Sequence, residues 1–455
     1  MTFSQHLRAV LVLGLPLIGS HLAQFAIGLF DTIMLGWYGV TELAASVLAN
    51  SFFFVIFIMG AGFAFAVMPM VAEASSGDDD TTVRRVTRMG MWLSVIYAAL
   101  FLPLMIWSKS VFLAFGQDPG LSQMAQDYLR IAGFGLFPAL LIMVLKSYLA
   151  ALERTQVVLW ITLLAVAVNA FGNWVLIFGN LGVPEMGLKG AAIASATTHL
   201  VAVLALALYV AKAPGTRAQV MFQRIWRPDP EVFGRVFRLG WPIGLTNLAE
   251  SSLFSASALI IGLIGTVPLA AHGIAIQIAS GTFMIHLALG QAATVRAGRA
   301  LGRRDFEGMW RGGSAAVSLS MFVVALTMIA FLTVPELLIS GFIDPDEPAR
   351  GAILAMGTTL LAVAGLFQLV DAGQVMALSM LRGIQDTRVP MIMAAIAYWL
   401  VGLPTAYFLG IVLQIGPVGV WLGLVAGLFM ASALLWWRFV QRFRAMSSPA
   451  LSPSL

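Results

Sequence analysis

Residues 361–380 read LAVAGLFQLVDAGQVMALSM, an apolar segment interrupted by one acid, Asp371. A similar segment at 245–262, LTNLAESSLFSASALIIG, carries Glu250. A helix needs about 20 apolar residues to cross a bilayer. A carboxylate near the bilayer centre costs several kcal/mol unless it faces a cavity, a partner or an ion. The two segments therefore predict membrane-spanning helices that hold a functional site.

The composition of the whole chain agrees with a membrane protein. Its 455 residues are 60% hydrophobic and 10% charged, with a mean hydropathy of +0.92, whereas soluble domains are about 25% charged. The chain has no cysteine, which excludes disulfides, iron–sulfur clusters and thiol catalysis. Twelve stretches are long enough to span, and we expect the first to be retained rather than cleaved as a signal peptide. They lie approximately at 10–35, 45–72, 89–108, 124–150, 157–179, 189–211, 239–262, 272–295, 312–334, 351–380, 388–412 and 417–440.

The basic residues define an orientation. The loops on the side of the two termini carry 21 Lys and Arg, and the opposite loops carry three, Lys109, Lys189 and Arg350. Basic residues concentrate in cytoplasmic loops. We therefore expect both termini to be cytoplasmic, in a multi-pass protein of a bacterial inner membrane. The run RAGRALGRRD at 296–305 is interpreted as a topology anchor, and no nucleic-acid partner is expected.

The chain repeats itself. Residues 13–16 (LGLP) recur as 239–242 (LGWP) at an offset of 226, and Thr155 recurs as Thr387 at 232. An even number of spans in each half makes such repeats parallel. We predict an all-α integral membrane fold in which twelve transmembrane helices form two parallel-repeat six-helix bundles around a central cleft. The predicted divisions are an N-terminal lobe at 1–211, a cytoplasmic linker at 212–238, and a C-terminal lobe with a cytoplasmic tail at 239–455.

Glu250 and Asp371 fall at one depth in the second half. Glu250 is twelve residues beyond Arg238 and Asp371 is eleven before Arg382, or about 18 and 16 Å at 1.5 Å per residue. Polar residues share their helical faces, Thr246 and Asn247 on one helix and Gln368 and Gln374 on the other. One interpretation is a structural hydrogen-bonded pair. The favoured one is a transport site, because two carboxylates without a basic residue close to them need a cation or protons.

The first half has its own polar cluster, in the outer half of the membrane. Asp31 is six residues before Trp37, Asn169 and Asn173 are one turn apart, and Thr197 and Thr198 follow Lys189 by eight and nine residues. Their oxygens could bind a hard cation or relay protons. Hydrogen bonds between helices explain the Asn and Thr residues about equally well. We include Gln24, on the first span, as a further supporting polar residue.

Two parallel bundles around a cleft are typical of secondary transporters. The chain contains no GxxxxGK[ST], HExxH, GxSG or GxGD motif, so we expect neither a nucleotide motor nor an enzyme, and no organic cofactor.

Several segments resemble the multidrug and toxin extrusion (MATE) family, specifically its NorM-like bacterial branch. They are LGLPLIGSHLAQFAIGLFDTIMLG at 13–36, GLTNLAESSLFSASALIIG at 244–262, AAHGIAIQI at 270–278 and FQLVDAGQVMALSMLRGIQDTRVPM at 367–391. The resemblance implies efflux of cationic drugs or toxins in exchange for inward Na⁺ or H⁺, with the ion at Glu250 and Asp371. It also matches Asp31 to the first-span acid and Asn169 with Asn173 to the span-five polar pair.

The expected protein is therefore a monomeric antiporter that moves cationic amphiphiles across a lipid bilayer by alternating access. Carboxylates surrounded by amide and hydroxyl oxygens favour Na⁺ as the coupling ion, and protons are the alternative. The competing function is a lipid or polyprenyl-lipid flippase of the same superfamily. A flippase usually needs more basic charge to hold a phosphate.

Overall fold

The computed structural model describes residues 2–447, which contain helices and no strand. Twelve of the helices are long and apolar enough to cross a membrane, which confirms the predicted all-α fold with twelve spans. They are α1 Phe3–Tyr38, α2 Val40–Ser76, α3 Asp80–Ile106, α4 Pro119–Ala151, α5 Thr155–Phe178, α6 Gly187–Lys212, α7 Pro230–Ile264, α8 Thr266–Gly302, α9 Phe306–Thr333, α10 Arg350–Gly383, α11 Arg388–Val412 and α12 Pro417–Ser447.

Most of the helices extend beyond the predicted apolar stretches, because their polar ends are also helical. At α1 the polar residues before the apolar stretch at 10–35 form the first turn of the helix. Thr2 N–H donates to Gln5 Oε1 at 2.8 Å, and Gln5 N–H donates to Thr2 Oγ1 at 3.4 Å. This reciprocal pair satisfies donors that a helix start leaves free. Hydropathy alone locates the part of a helix that lies in hydrocarbon and misses such turns.

The chain forms two compact units whose boundaries fall inside helices. One unit is Leu15–Gly244, and the other combines the chain before Leu15 with the chain from Leu245 onward. The predicted lobes placed all of 1–211 together, but the start of α1 packs with the second half. Arg296 Nη2 lies 2.8 Å from His6 Nδ1, and Gly14 packs on Leu289.

Proline marks each of these boundaries. Pro16 in α1 and Pro242 in α7 lie 226 residues apart, which is the offset of the sequence repeat. Proline cannot donate the helical hydrogen bond and clashes with the preceding turn. The helix is therefore weakened beside each point where the chain passes from one unit to the other. Short helices at Ser108–Ala114 and Pro335–Ser340, after the third span of each half, repeat in the same way.

The segment between the halves is shorter than the predicted linker at 212–238. Helix α7 already begins at Pro230, because proline suits the first helical position and the carboxylate of Asp229 accepts from Val232 N–H at 3.2 Å. The connecting segment 213–229, called the strap below, lies against α3. Arg85 Nε donates to Asp229 Oδ2 at 2.5 Å. This hydrogen bond lowers the pKa of Asp229 below its usual value, so the contact is present at neutral pH and is lost as pH falls through that lowered pKa.

Helices α11 and α12 approach closely through glycine. Gly419, Gly423 and Gly427 recur every fourth residue on α12. A Cβ at Gly419 would lie 2.6 Å from Leu409 O, and one at Gly427 would lie 2.7 Å from Gly402 Cα. Small residues at this spacing allow membrane helices to pack backbone against backbone. The contact holds α11 in place, including its widened turns at Ile396–Gly402.

We expect Gly423→Ala to destabilise the protein, because the added methyl would overlap the backbone of Ala406. Overpacking of this kind costs about 1–3 kcal/mol. The matched control is Gly273→Ala on α8, where a Cβ meets nothing within 4 Å, and which should be neutral or stabilising by roughly 0.5–1 kcal/mol. Thermal unfolding in detergent measures both. Equal melting temperatures for the two variants would contradict the packing argument.

Candidate functional site

Four side chains from three helices form the second-half site, defined here as Glu250 on α7, Asp371 and Gln374 on α10, and Tyr398 on α11. Asp371 is 2% exposed, and Gln374 and Tyr398 are fully buried. Gln374 Nε2 donates to the Tyr398 hydroxyl at 2.6 Å, and Gln374 lies near the Glu250 carboxylate. The two carboxylates are close enough to interact electrostatically. The structure thus brings together both predicted acids and one of their predicted polar neighbours.

Several oxygens of this site lack a hydrogen-bond donor. Glu250 Oε1, Asp371 Oδ1 and Gln374 Oε1 are buried, and none receives a hydrogen bond from the described residues 2–447. Carboxylate and amide oxygens are acceptors, and a buried acceptor without a donor carries a desolvation penalty of about 1–3 kcal/mol, more if charged. A hard cation coordinated by these oxygens, or a proton on a carboxyl, removes that penalty.

The expectation that no basic residue lies near the two acids was wrong. Arg382, at the end of α10, interacts electrostatically with Glu250, and its Nη2 donates to Asn247 Oδ1 at 2.8 Å. Arg382 is one of the basic residues assigned to the cytoplasmic loops, but a long side chain can reach back along its helix. With both acids ionised, the site and Arg382 together carry a net charge of minus one.

Two residues that were predicted to lie beside the acids, Gln368 and Thr246, are not among the four side chains of the second-half site. Gln368 belongs to a separate buried chain of polar groups: its Oε1 accepts from Thr327 Oγ1 at 2.9 Å, and its Nε2 lies 3.4 Å from His286 Nε2. His286 Nδ1 in turn lies 2.9 Å from Ser320 Oγ. Thr246 is buried, in the turn of α7 that also carries Asn247. Sequence spacing placed Gln368 on the face of Asp371 but could not show which helix it meets.

In the first half, a cavity of about 100 Å³ is lined by three of the six predicted polar residues, Asp31, Asn169 and Thr198. Asp31 on α1 is its acid. Asn173 Nδ2 donates to Asp31 Oδ1 at 2.5 Å, and Ser195 Oγ donates to Asp31 Oδ2 at 3.3 Å. Both oxygens of Asp31 therefore have donors, in contrast to the acids of the second-half site. The polar residues that line the cavity are Asp31, Asn50, Tyr128, Asn169, Ser195, Thr198 and His199.

The remaining predicted residues of the first half divide between this cavity and its surroundings. Asn169 is buried in the cavity wall, and its Oδ1 lies 3.4 Å from Asn173 Nδ2. Thr198 also lines the cavity, but its hydroxyl donates to Ala194 O at 2.8 Å within α6. Thr197 is exposed and does not line it. Neighbouring residues of a helix point about 100° apart, so only one of the two threonines can face inward.

Gln24 lies apart from the cavity. Its Oε1 accepts from Lys146 Nζ at 3.4 Å. Gln24 is 226 residues before Glu250, so the two occupy equivalent positions of the repeat. Each is near a basic side chain from the fourth helix of its own half, Lys146 on α4 or Arg382 on α10. The arrangement is common to both halves, but only the second half has an acid at this position.

Sequence reasoning missed Tyr398 and Ser195. Tyr398 is ten residues after Arg388, or about 15 Å along the helix, which is close to the depth estimated for Glu250 and Asp371. The same depth estimate applied to neutral polar residues would have found it. Ser195 is an ordinary small residue of an Ala-rich helix, and nothing in its sequence context sets it apart.

The family model for MatE matches residues 16–175 and 242–408, which is most of both halves. The chain belongs to the MatE family. Its members are transporters, so the predicted family is confirmed and a non-enzymatic role follows at the level of the family. The two matched segments also correspond to the two halves of the sequence repeat.

Relatives that match nearly end to end carry the NorM name. "Probable multidrug resistance protein NorM" of Rhizobium meliloti (strain 1021) is 45% identical over 98% of this chain and 96% of its own length. The protein of the same name from Agrobacterium fabrum (strain C58 / ATCC 33970) is 43% identical over 96% and 94%. With the twelve apolar helices, these relatives make this MatE protein a multi-pass bacterial membrane protein.

Solved structures share the fold. The eukaryotic MATE transporter AtDTX14 superimposes with a TM-score of 0.84 at 19% identity, covering 98% of both chains. An outward-facing multidrug resistance MATE family transporter of the MOP superfamily gives 0.87 at 20% identity, covering 98% of this chain and 99% of that one. At such low identity the likeness establishes the architecture of this MatE protein and not its substrates.

Proposed function

We propose that this MatE protein is a secondary multidrug efflux antiporter that exports cationic amphiphilic compounds in exchange for inward Na⁺, with H⁺ as the alternative ion. The observation that carries the proposal is the set of three buried acceptor oxygens without donors on Glu250, Asp371 and Gln374. The names of the NorM relatives, which are multidrug resistance proteins, support the substrate class.

The charge of the second-half site favours a single monovalent cation. Two carboxylates and Arg382 leave one negative charge, which one Na⁺ or one proton neutralises. Hard cations prefer oxygen ligands, and Gln374 and Tyr398 add neutral oxygens beside the acids. Asp31, whose oxygens already have donors, would take a supporting part in the first half. A flippase would need an excess of basic charge to hold a phosphate, and the net charge of this site is negative.

The proposed transport cycle depends on competition between the cationic drug and the coupling ion for the same negative charge. A cationic drug and the coupling ion both reduce the same negative charge, so binding of one weakens binding of the other. If each is bound on opposite sides of the membrane, alternating access converts that competition into exchange. We place the protein in the bacterial inner membrane as a monomer without an organic cofactor. The 21 to 3 distribution of Lys and Arg supports cytoplasmic termini.

Equilibrium binding of a fluorescent organic cation in detergent tests the proposal. At fixed pH and ionic strength, NaCl should weaken binding by about 5–150-fold relative to choline chloride, and the drug should weaken Na⁺ binding by the same factor. Equal binding in the two salts, with loss of binding as pH is lowered, would assign the coupling to protons. Insensitivity to both sodium and pH would contradict the antiport proposal.

A further inference from the structure

Hydrogen bonds connect the strap, residues 213–229, to the first part of α3. Besides the bond from Arg85 to Asp229, Arg88 Nη1 donates to Arg224 O at 3.0 Å, and Trp92 Nε1 donates to Ile225 O at 2.7 Å. At the near end of the strap, Gln219 Nε2 donates to Asp80 Oδ1 at 2.7 Å. Contacts from Gln219 to Asp229, two of them to the backbone, fix the course of this part of the strap independently of its outward side chains.

The order of these contacts shows that the strap dips toward the membrane and returns. Gln219 lies at the first turn of α3, Ile225 lies at Trp92, and Asp229 returns to Arg85. Twelve residues separate Asp80 from Trp92, or about 18 Å along the helix. The tip at Ile225 and Trp226 is therefore the part of the strap that lies furthest along α3 into its apolar section.

The outward face of the strap combines aromatic and basic side chains. Trp226 is 72% exposed, and Phe222 and Ile225 are half-buried. Arg217, Arg224 and Arg227 are exposed and form no ion pair with the described residues. The only acid in the strap is Asp229, and Arg85 already engages it. In water the strap would expose a large aromatic ring and three arginines without an ion-pair partner among the described residues.

We propose that the strap is a binding site for anionic phospholipids. Tryptophan side chains concentrate at the membrane interface, which suits Trp226 at the deepest point. Guanidinium groups bind phosphate through paired hydrogen bonds, which suits Arg224 and Arg227 on either side of Trp226 in the sequence, with Arg217 further back along the strap. The position of the tip beside Trp92 in the apolar section of α3 favours a lipid over a soluble polyanion, because apolar helix surface of this kind is expected to lie in the bilayer. The strap thereby anchors the connection between the two halves to one leaflet.

The first test uses native mass spectrometry to measure how much phosphatidylglycerol the purified full chain retains. The triple variant Arg217→Gln/Arg224→Gln/Arg227→Gln should lose affinity for phosphatidylglycerol by about fivefold per arginine, with weak phosphatidylcholine binding unchanged. The matched control is Arg303→Gln/Arg304→Gln, two exposed arginines between α8 and α9, which should leave retention unchanged. Inorganic phosphate should not compete. Equal retention by the wild type and the triple variant, or displacement by phosphate, would overturn the proposal.

The depth of Trp226 in the membrane can be measured directly. Because the chain has no native cysteine, one introduced cysteine can be labelled specifically. Trp226→Cys, carrying an environment-sensitive fluorophore, is reconstituted into vesicles of phosphatidylcholine with or without phosphatidylglycerol. We expect quenching by lipids with a headgroup-level spin label and protection from aqueous iodide, most strongly with phosphatidylglycerol present. Arg303→Cys, labelled in the same way, should remain open to iodide. Full iodide quenching at position 226 in both vesicle types would exclude lipid contact.

Discussion

Neutralising either acid of the second-half site should reduce gradient-driven export of a fluorescent cation to the level of empty vesicles. In Glu250→Gln and in Asp371→Asn, the site and Arg382 carry no net charge, so neither the coupling ion nor the drug is attracted. Hydrogen bonds to charged groups contribute about 1.5–3 kcal/mol. We therefore expect drug and ion affinities to fall by at least about tenfold to a hundredfold.

The same two variants should fold as well as the wild type. A buried charge without full compensation destabilises a protein, so replacing it by an isosteric amide leaves the melting temperature unchanged or raises it. Asp346→Asn, in the exposed loop before α10, is the matched control and should retain full transport. Normal export by both site variants would show that the pair is structural.

Much of the fold was predictable because it depends on patterns that a membrane imposes. Apolar length identified twelve spans, and short motifs that recur at offsets of 226 and 232 identified the repeat. The unit boundary inside α1 was not predictable, since it depends on His6 and Gly14 packing against α8. Hydropathy gives the depth of a residue but not its neighbour on another helix.

The same limit applies to the site. Glu250 and Asp371 were found because a charge in an apolar helix is conspicuous, and their common depth was enough to predict that they meet. Gln368 was assigned to them by spacing, although it joins His286 and Thr327 instead. Arg382 was missed as a member because its sequence position, at a helix end, gives no indication that its guanidinium reaches Asn247. The direction in which a side chain extends from its helix depends on how it packs, and the periodicity of the sequence does not reveal it.

Removing the positive charge of Arg382 should strengthen cation binding and slow transport. Arg382 offsets part of the negative charge of Glu250, so Arg382→Met leaves the site with two uncompensated carboxylates. Loss of one unit charge close to the site, worth about 1.5–3 kcal/mol at an effective dielectric constant of about 20, would lower the concentration of coupling ion that half-displaces a fluorescent cation held far below its own Kd by about tenfold to a hundredfold. An ion held this tightly is released slowly, so export at saturating drug should fall although binding improves.

Two variants separate this effect from damage to the fold. Arg382→Lys keeps the charge and should shift half-displacement little, even if the bond to Asn247 is weakened. Arg388→Met removes an exposed arginine at the start of α11 and should behave as the wild type. If Arg382→Met instead weakened ion binding while Arg382→Lys preserved it, Arg382 would act by holding Asn247 and Glu250 in place. Tighter ion binding in Arg382→Met would show that Arg382 competes with the ion. Weaker ion binding would show that Arg382 holds the ligands of the ion in position.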